Sequence, residues 1–190
     1  YMKKFGLNDK NLKIFTYAGT HAPYQGLETI IHAADFLKNK SDIVILMAGK
    51  GPVTEKLKAL ASSLGLKNLF FIDSPFDEMI KLMSITYASI VVLKDKPTAR
   101  KQRLSKVIPP LACGVPVIFA GYGESAEMLK ENNCGVVLEP DNPGKLSKSI
   151  LKLCNDEHLR NELGKNGLSY VKKELSWEII IDNWLRQIQN

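Results

Sequence analysis

The chain has no apolar run near the roughly 20 residues that a membrane-spanning helix needs. Its longest such run, Ile43-Val-Ile-Leu-Met-Ala-Gly49, has the length of a strand. No apolar segment follows Tyr1-Met2-Lys3-Lys4-Phe5 of the kind a secretory signal carries. Cysteine is scarce: Cys113, Cys134 and Cys154 are odd in number, far apart, and form no Cys-x-x-Cys pair. That excludes a disulfide scaffold and supports neither a zinc site nor a redox motif. Small buried hydrophobes in a reducing cytosol are the expectation. His21, His32 and His158 lack metal-ligand spacing. His32 falls inside a helical pattern and reads as structural, whereas His21 is a ligand-contact candidate. Trp177 and Trp184 sit at helical spacing and read as packing. There is also no P-loop, no Gly-x-Gly-x-x-Gly fingerprint, no nucleophile elbow and no paired-carboxylate arrangement.

What remains is an ordinary globular composition, 45% hydrophobic and 24% charged, over 190 residues. That length fits one domain. The chain opens on Tyr1 rather than Met, and the expectation is of a fragment whose upstream part is missing. Short β-branched runs recur at Ile14–Ala18, Ile43–Ala48, Leu69–Ile72, Ile90–Leu93, Val115–Phe119 and Gly135–Leu138. Most are continuously apolar, as in strands buried on both faces of a parallel sheet. Between them, Leu27, Ile30, Ile31, Ala34 and Leu37 recur at helical spacing. So do Leu57, Leu60, Ala61 and Leu64, ending at Gly65, and the shorter set Met79, Leu82 and Met83. Pro52 is placed to open a helix. Pro143–Cys154 reads as an amphipathic helix, Glu157–Lys173 as a helix interrupted at Gly164 and Gly167, and Ser176 as the cap of a last helix.

Strand alternating with helix predicts an α/β fold: a Rossmann-like doubly wound parallel sheet of about six strands, with extra C-terminal helices. Such sheets bind ligands beyond the carboxyl ends of their strands. After the first strand comes Gly19-Thr-His-Ala-Pro-Tyr-Gln-Gly26, and after the second Ala48-Gly-Lys-Gly-Pro52. In the latter, Gly49 and Gly51 flank Lys50; a phosphate or sugar cradle and a plain tight turn with a solvated lysine both fit. After the fifth strand, Ala120-Gly-Tyr-Gly-Glu-Ser-Ala-Glu127 runs into a helix. Glu124 there is either an acceptor for sugar hydroxyls or a dipole-favoured helix start.

The formal charge of +6 is mostly local. Lys94–Lys106 carries six cations and one anion, and so holds +5 of it. The run follows the fourth strand, at the predicted ligand edge. It is too short for a DNA-binding face and lacks an aromatic platform, so a diphosphate is the better match and nucleic acid is not an expected partner.

Taken together, these segments resemble the C-terminal half of group 1 retaining glycosyltransferases with the GT-B fold. The resemblance rests on Lys3-Lys4-Phe5-Gly6-Leu7, Tyr17-Ala-Gly-Thr20, Gln25-Gly-Leu-Glu-Thr-Ile30, Ala48-Gly-Lys-Gly-Pro52, Leu111-Ala-Cys-Gly-Val-Pro-Val-Ile118, Cys134-Gly-Val-Val-Leu-Glu-Pro140 and Ser176-Trp177. It implies a single nucleotide-sugar-binding domain over 1–190. Residues 1–10 are the lead-in, 11–155 the Rossmann-like core and 156–190 the C-terminal helices; an N-terminal acceptor domain is missing. It implies a nucleoside-diphosphate sugar as donor, no metal or other cofactor, and a glycan or lipid-linked acceptor, in bacterial capsule, O-antigen or exopolysaccharide synthesis. The location it implies is cytoplasmic, with the full enzyme peripheral at the inner face of the membrane. The fragment alone is expected to be inactive.

Two departures stand out. Thr20 and Gln25 occupy positions where the family commonly has Arg and Lys, although Gln25-Gly-Leu and Ser105-Lys106 are similar to a surface-polysaccharide subgroup. Lys101 and Pro109 fall in the slots of the family Glu-x7-Glu motif, so the catalytic residues stay unassigned and the usual ribose carboxylate is absent. The expected nucleotide-sugar contacts are Gly19, Thr20, Gln25, Gly26, Gly49, Lys50, Gly51, Arg103, Ser105, Lys106, Gly123 and Glu124. Lys101, Arg103 or Lys106 would supply the diphosphate charge that the first loop lacks. The alternatives are a catalytically silent binding domain and a nucleotide-sugar epimerase fragment.

Overall fold

The computed structural model describes residues 11–73, 76–100 and 105–189. Six strands form one sheet: β1 (Lys13–Ala18), β2 (Ile43–Ala48), β3 (Leu69–Ile72), β4 (Ala88–Val92), β5 (Val117–Ala120) and β6 (Gly135–Leu138). Their order is β3-β2-β1-β4-β5-β6, and every pairing is parallel. The strand order reverses between β1 and β4, which opens a crevice beyond their carboxyl ends.

Helices cover both faces, which is why the strands read as unbroken apolar runs. Successive side chains alternate across the sheet. Phe15, Tyr17, Ile45 and Met47 pack on one side with Ile30 and Ile31 of α1 (Glu28–Phe36), Leu57 of α2 (Thr54–Ser63) and Ile150 of α7 (Pro143–Asn155). Ile14 and Leu46 pack on the other with Leu82 and Met83 of α3 (Met79–Ile85). Val117 and Phe119 bury against Leu111 of α5 (Ile108–Ala112) and Leu129 of α6 (Glu124–Glu131). A short helix, α4 (Pro97–Arg100), lies in the basic loop; α8 (Glu157–Tyr170) and α9 (Trp177–Gln189) close the chain. The polar exception inside β1 is satisfied: Thr16 and Thr86 hydroxyls meet at 2.8 Å, and Thr86 donates to the Leu82 carbonyl.

The structure shifts several expected boundaries. β4 begins at Ala88, before Ile90. β5 begins at Val117 rather than Val115, because the Val115 N–H closes the turn after α5 onto the Pro110 carbonyl and Pro116 has no N–H to give the ladder. Pro52 does not open α2; the helix starts at Thr54, whose N–H and hydroxyl both bond the backbone of Gly51. Cys134 is buried as expected, but Cys113 is exposed. Burial pushes the Cys134 thiol up to about 11, far from a reactive thiolate.

Gly164 and Gly167 do not interrupt a helix. α8 runs through both, followed by a wider π turn at Val171–Leu175. Both glycines are there for proximity: a Cβ on Gly164 would overlap the Gly114 carbonyl, and one on Gly167 would lie 2.6 Å from Leu111 Cδ2. Helix propensity alone favours Gly164→Ala by about 1 kcal/mol. Overpacking opposes it by about 1–3 kcal/mol. We expect the net sign to be destabilising, read as a lower urea midpoint with an unchanged m-value.

The Ser176 hydroxyl accepts the Ile179 N–H at 3.4 Å, as a cap should. The two tryptophans do not pack as expected: Trp177 is 76% and Trp184 61% exposed. Among the described residues no helix is long and apolar enough to cross a membrane, and no cluster of His, Cys, Asp and Glu is placed to hold a metal ion. The lead-in 1–10, Lys101 and Arg103 lie outside the described residues.

Candidate functional site

A cleft of about 700 Å³ opens at the β1/β4 switch point. Ala18, Gly19 and Thr20 form one wall where β1 ends. Ser105 and Lys106 form another, on the turn that leads into α5. Met79 and Met83 of α3, Ile108, Pro109 and Pro110 of α5, and Trp177 supply an apolar body. The lining therefore combines one cation, the hydroxyl-bearing residues Thr20, Ser89 and Ser105, and a larger apolar set. Trp177 reaches it from the start of α9, a neighbour that helical spacing could not have indicated.

The wall at Lys106 is built by close packing. Lys106 lies across Gly19, where a Cβ would come within 2.5 Å of its Cε. Gln25 is fully buried behind it. In the orientation that satisfies its neighbours, the Gln25 amide donates to the Val92 carbonyl at the end of β4 and accepts from Lys106 Nζ, each at 3.2 Å. Gly26 is buried behind the same wall, against Lys94. The Tyr17 hydroxyl donates to the Thr20 carbonyl at 2.7 Å and braces the loop from below. Burial holds that phenol above the ordinary tyrosine range, so it remains a donor.

Gly49, Lys50 and Gly51 belong to a separate cavity of about 540 Å³, with Thr54, Lys58, Phe71 and Asp73. Lys50 is solvent-exposed and pairs with Asp73 at 3.5 Å. A Cβ on Gly49 would overlap the Gly19 carbonyl, and one on Gly51 would lie 2.5 Å from the His21 carbonyl. The Gly19 and His21 N–H groups donate to the Ala48 and Lys50 carbonyls. The glycines thus let two turns close on each other. The first loop directs those two donors sideways, into the second turn.

The third turn is packed in the same way. A Cβ on Gly123 would overlap the Arg100 carbonyl, and Glu124 is the exposed first residue of α6. Arg100 itself makes a bidentate bridge to Asp95 and lies 4.9 Å from the Tyr122 ring, so part of the basic run is neutralised within its own loop.

His21 is completely buried between Tyr17 and Phe71. Its Nδ1 meets Thr54 Oγ1 at 2.9 Å and its Nε2 has no partner. Desolvation, and then the nearby Lys58 charge, hold its pKa below the ordinary 6.5. In the unfolded chain the imidazole takes up its proton near 6.5, and in the folded chain only at lower pH. Stability from this group is therefore full above about pH 7 and falls as pH drops through 6.5. We expect the urea midpoint to fall less between about pH 7 and pH 5 in His21→Phe than in the parent.

The model of the family described as Glycosyl transferases group 1 matches residues 2–169. The chain belongs to the group 1 glycosyl transferases. Its curated relatives include the uncharacterized glycosyltransferase MJ1069 of Methanocaldococcus jannaschii, 25% identical over 93% of this chain and 45% of that protein. The GDP-mannose-dependent monoacylated alpha-(1-6)-phosphatidylinositol monomannoside mannosyltransferase of Corynebacterium glutamicum is 25% identical over 94% of this chain and 47% of that one. The chain spans about half the length of the curated relatives it matches. Among solved structures, Anabaena Alr3699/HepE in complex with UDP and glucose shares the fold with a TM-score of 0.86 at 16% identity, over all of this chain and 50% of that one. Staphylococcus aureus TarM, in complex with Fondaparinux, alpha-GlcNAc-glycerol and UDP, has a TM-score of 0.76 at 19% identity, over 93% of this chain and 35% of that one. The family and the GT-B architecture implied by the sequence resemblance are those found.

Within the group 1 glycosyl transferase fold, the expected contacts fall into three places. Gly19, Thr20, Ser105 and Lys106 meet in one cleft, with Gln25 and Gly26 directly behind. Gly49, Lys50 and Gly51 line the neighbouring cavity. Gly123 and Glu124 sit on a turn packed against the basic loop. Pro109 lines the cleft, and no carboxylate is among the lining residues.

Proposed function

We propose that this chain is the nucleotide-sugar-binding half of a glycosyltransferase that moves a sugar from a nucleoside-diphosphate donor to a glycan or lipid-linked acceptor, in surface-polysaccharide synthesis. The observation that carries the reading is the cleft at the switch point, whose lining joins Lys106, Thr20 and Ser105 to a larger set of apolar side chains. A nucleoside diphosphate has the complementary chemistry: a dianionic end that needs cations and donors, and a flat end that prefers apolar contact. HepE was solved with UDP and with UDP-glucose, which supports a nucleotide ligand here. The chemistry asked of this half is electrostatic, namely stabilising the charge that develops on the departing diphosphate. It requires no metal, so chelator should leave donor binding unchanged. The acceptor comes from the rest of a longer enzyme, working in the cytoplasm at the inner membrane face.

Thermal-shift titration tests this. A ligand at a hundred times its Kd stabilises by about 2.7 kcal/mol, and each kcal/mol is worth about 2–4 °C in a chain of this size. UDP, GDP or one of their sugars should raise Tm by roughly 5–10 °C at saturation. No shift with any of them, and no heat of binding by calorimetry, overturns the proposal. The second reading, a silent domain that binds without turnover, is favoured by one residue. Pro109 cannot hold a ribose through its side chain. Binding by this chain without sugar transfer by the full-length protein would select it.

A further inference from the structure

Lys106 lines the cleft, and no carboxylate among the described residues lies within ion-pair distance of its ammonium. A long flexible cation in that setting would sample many rotamers. Here two contacts restrict it. The side chain lies across Gly19, whose missing Cβ leaves room for Lys106 Cδ and Cε. The Gln25 amide holds the tip. That amide is itself immobilised, being fully buried and anchored to the last carbonyl of β4. A glutamate in this position would cancel the lysine charge, and an aliphatic residue would leave both the Val92 carbonyl and Nζ without this contact. A neutral acceptor fixes the ammonium while leaving its charge and its other N–H donors to a ligand.

We propose that Gln25 is a positioning residue, which ties Lys106 to the end of β4 so that its ammonium stands preorganised over the β1 loop to receive a donor diphosphate. The proposal rests on the donor reading above. Gln25 touches no ligand; it acts through Lys106. Loss of the hold should weaken nucleoside-diphosphate binding by about tenfold, the range of one charge-assisted hydrogen bond. Binding of the uncharged nucleoside, which Lys106 does not serve, should change less than about twofold.

The experiment is a double-mutant cycle by calorimetry on the 190-residue chain, with UDP, GDP and the corresponding nucleosides as probes. The variants are Gln25→Met, Lys106→Met and the pair. Gln25→Met should lower diphosphate affinity in the parent background and have little further effect once Lys106 is Met. Equal losses in both backgrounds overturn the proposal, because Gln25 would then act through the fold at large. Unchanged affinity of Gln25→Met also overturns it and leaves the donor reading intact. A parent chain that binds neither UDP nor GDP overturns both. Gln25→Asn keeps a polar amide one methylene short of Lys106; should Gln25→Met not fold, the same cycle with Gln25→Asn decides by the same outcomes.

Discussion

Charge reversal at Lys106, Lys106→Glu, should lower nucleoside-diphosphate affinity by at least a hundredfold while leaving Tm within a few degrees of the parent. The two halves of that expectation have different origins. The side chain is half-buried, and no salt bridge to a described carboxylate depends on it, so the fold loses one hydrogen bond to Gln25. That bond has a charged donor, for which about 1.5–3 kcal/mol is usual when it is desolvated, and solvent at the half-buried lysine screens it to about 1 kcal/mol. Binding loses more, because a charge-assisted contact contributes about 1.5–3 kcal/mol. A carboxylate facing a diphosphate in a cleft with apolar walls then adds repulsion that water screens poorly. Calorimetry with UDP and GDP, with circular-dichroism melting alongside, checks both halves. Retained affinity would show that the ligand's charge is met elsewhere, by Lys50 in the neighbouring cavity for example.

The sheet could be read from the sequence because burial on both faces writes itself as short unbroken apolar runs. Ile43–Ala48 and Leu69–Ile72 matched to the residue. The errors came where an element boundary is decided by a partner distant in the chain. Val115 looks like strand, but its N–H closes a turn onto Pro110. Gly164 and Gly167 look like helix breakers, but Gly114 and Leu111 press against them from elsewhere in the chain. The same limitation governs the site. Gly-rich turns after strands are legible, and a ligand cradle and a plain tight turn both fit them. The structure shows that Gly49, Gly51 and Gly123 admit other loops. Lys106 was one cation among six in a basic run, and nothing in spacing could single it out. Its distinction is that Gly19 and Gln25 hold it at the cleft, while Arg100, of the same run, is bound to Asp95. Helical spacing at Trp177 describes a helix face and not what that face meets, so the cleft is invisible from it.

The contact between the first two loops supplies a second large effect, on stability rather than affinity. Gly49→Ala should lower stability by about 2–5 kcal/mol, the sum of two terms. The backbone at Gly49 has φ +127, outside the range L residues adopt readily. A positive φ of the mildest kind, the left-handed helical region, already costs a side-chain-bearing residue about 1–2 kcal/mol. The new methyl would also overlap the Gly19 carbonyl, which is backbone and cannot rotate away. Overpacking of that sort adds about 1–3 kcal/mol. Gly65 shows the mildest form of the first term alone. Its φ is +63, just past the end of α2, and a Cβ there meets nothing within 4 Å. Gly65→Ala should therefore be destabilised by about 1–2 kcal/mol only. Urea unfolding of both variants against the parent compares the two positions. The difference between them is an upper bound on loop-on-loop packing, since it also holds the extra backbone strain of φ +127 over φ +63. Because Gly19 lies under Lys106, relief of the Gly49 overlap would displace that lysine, so Gly49→Ala should also weaken nucleoside-diphosphate binding whereas Gly65→Ala should not. Equal stabilities for the two alanine variants would mean that the loops part without loss, and that the wall of the cleft is not set by their contact.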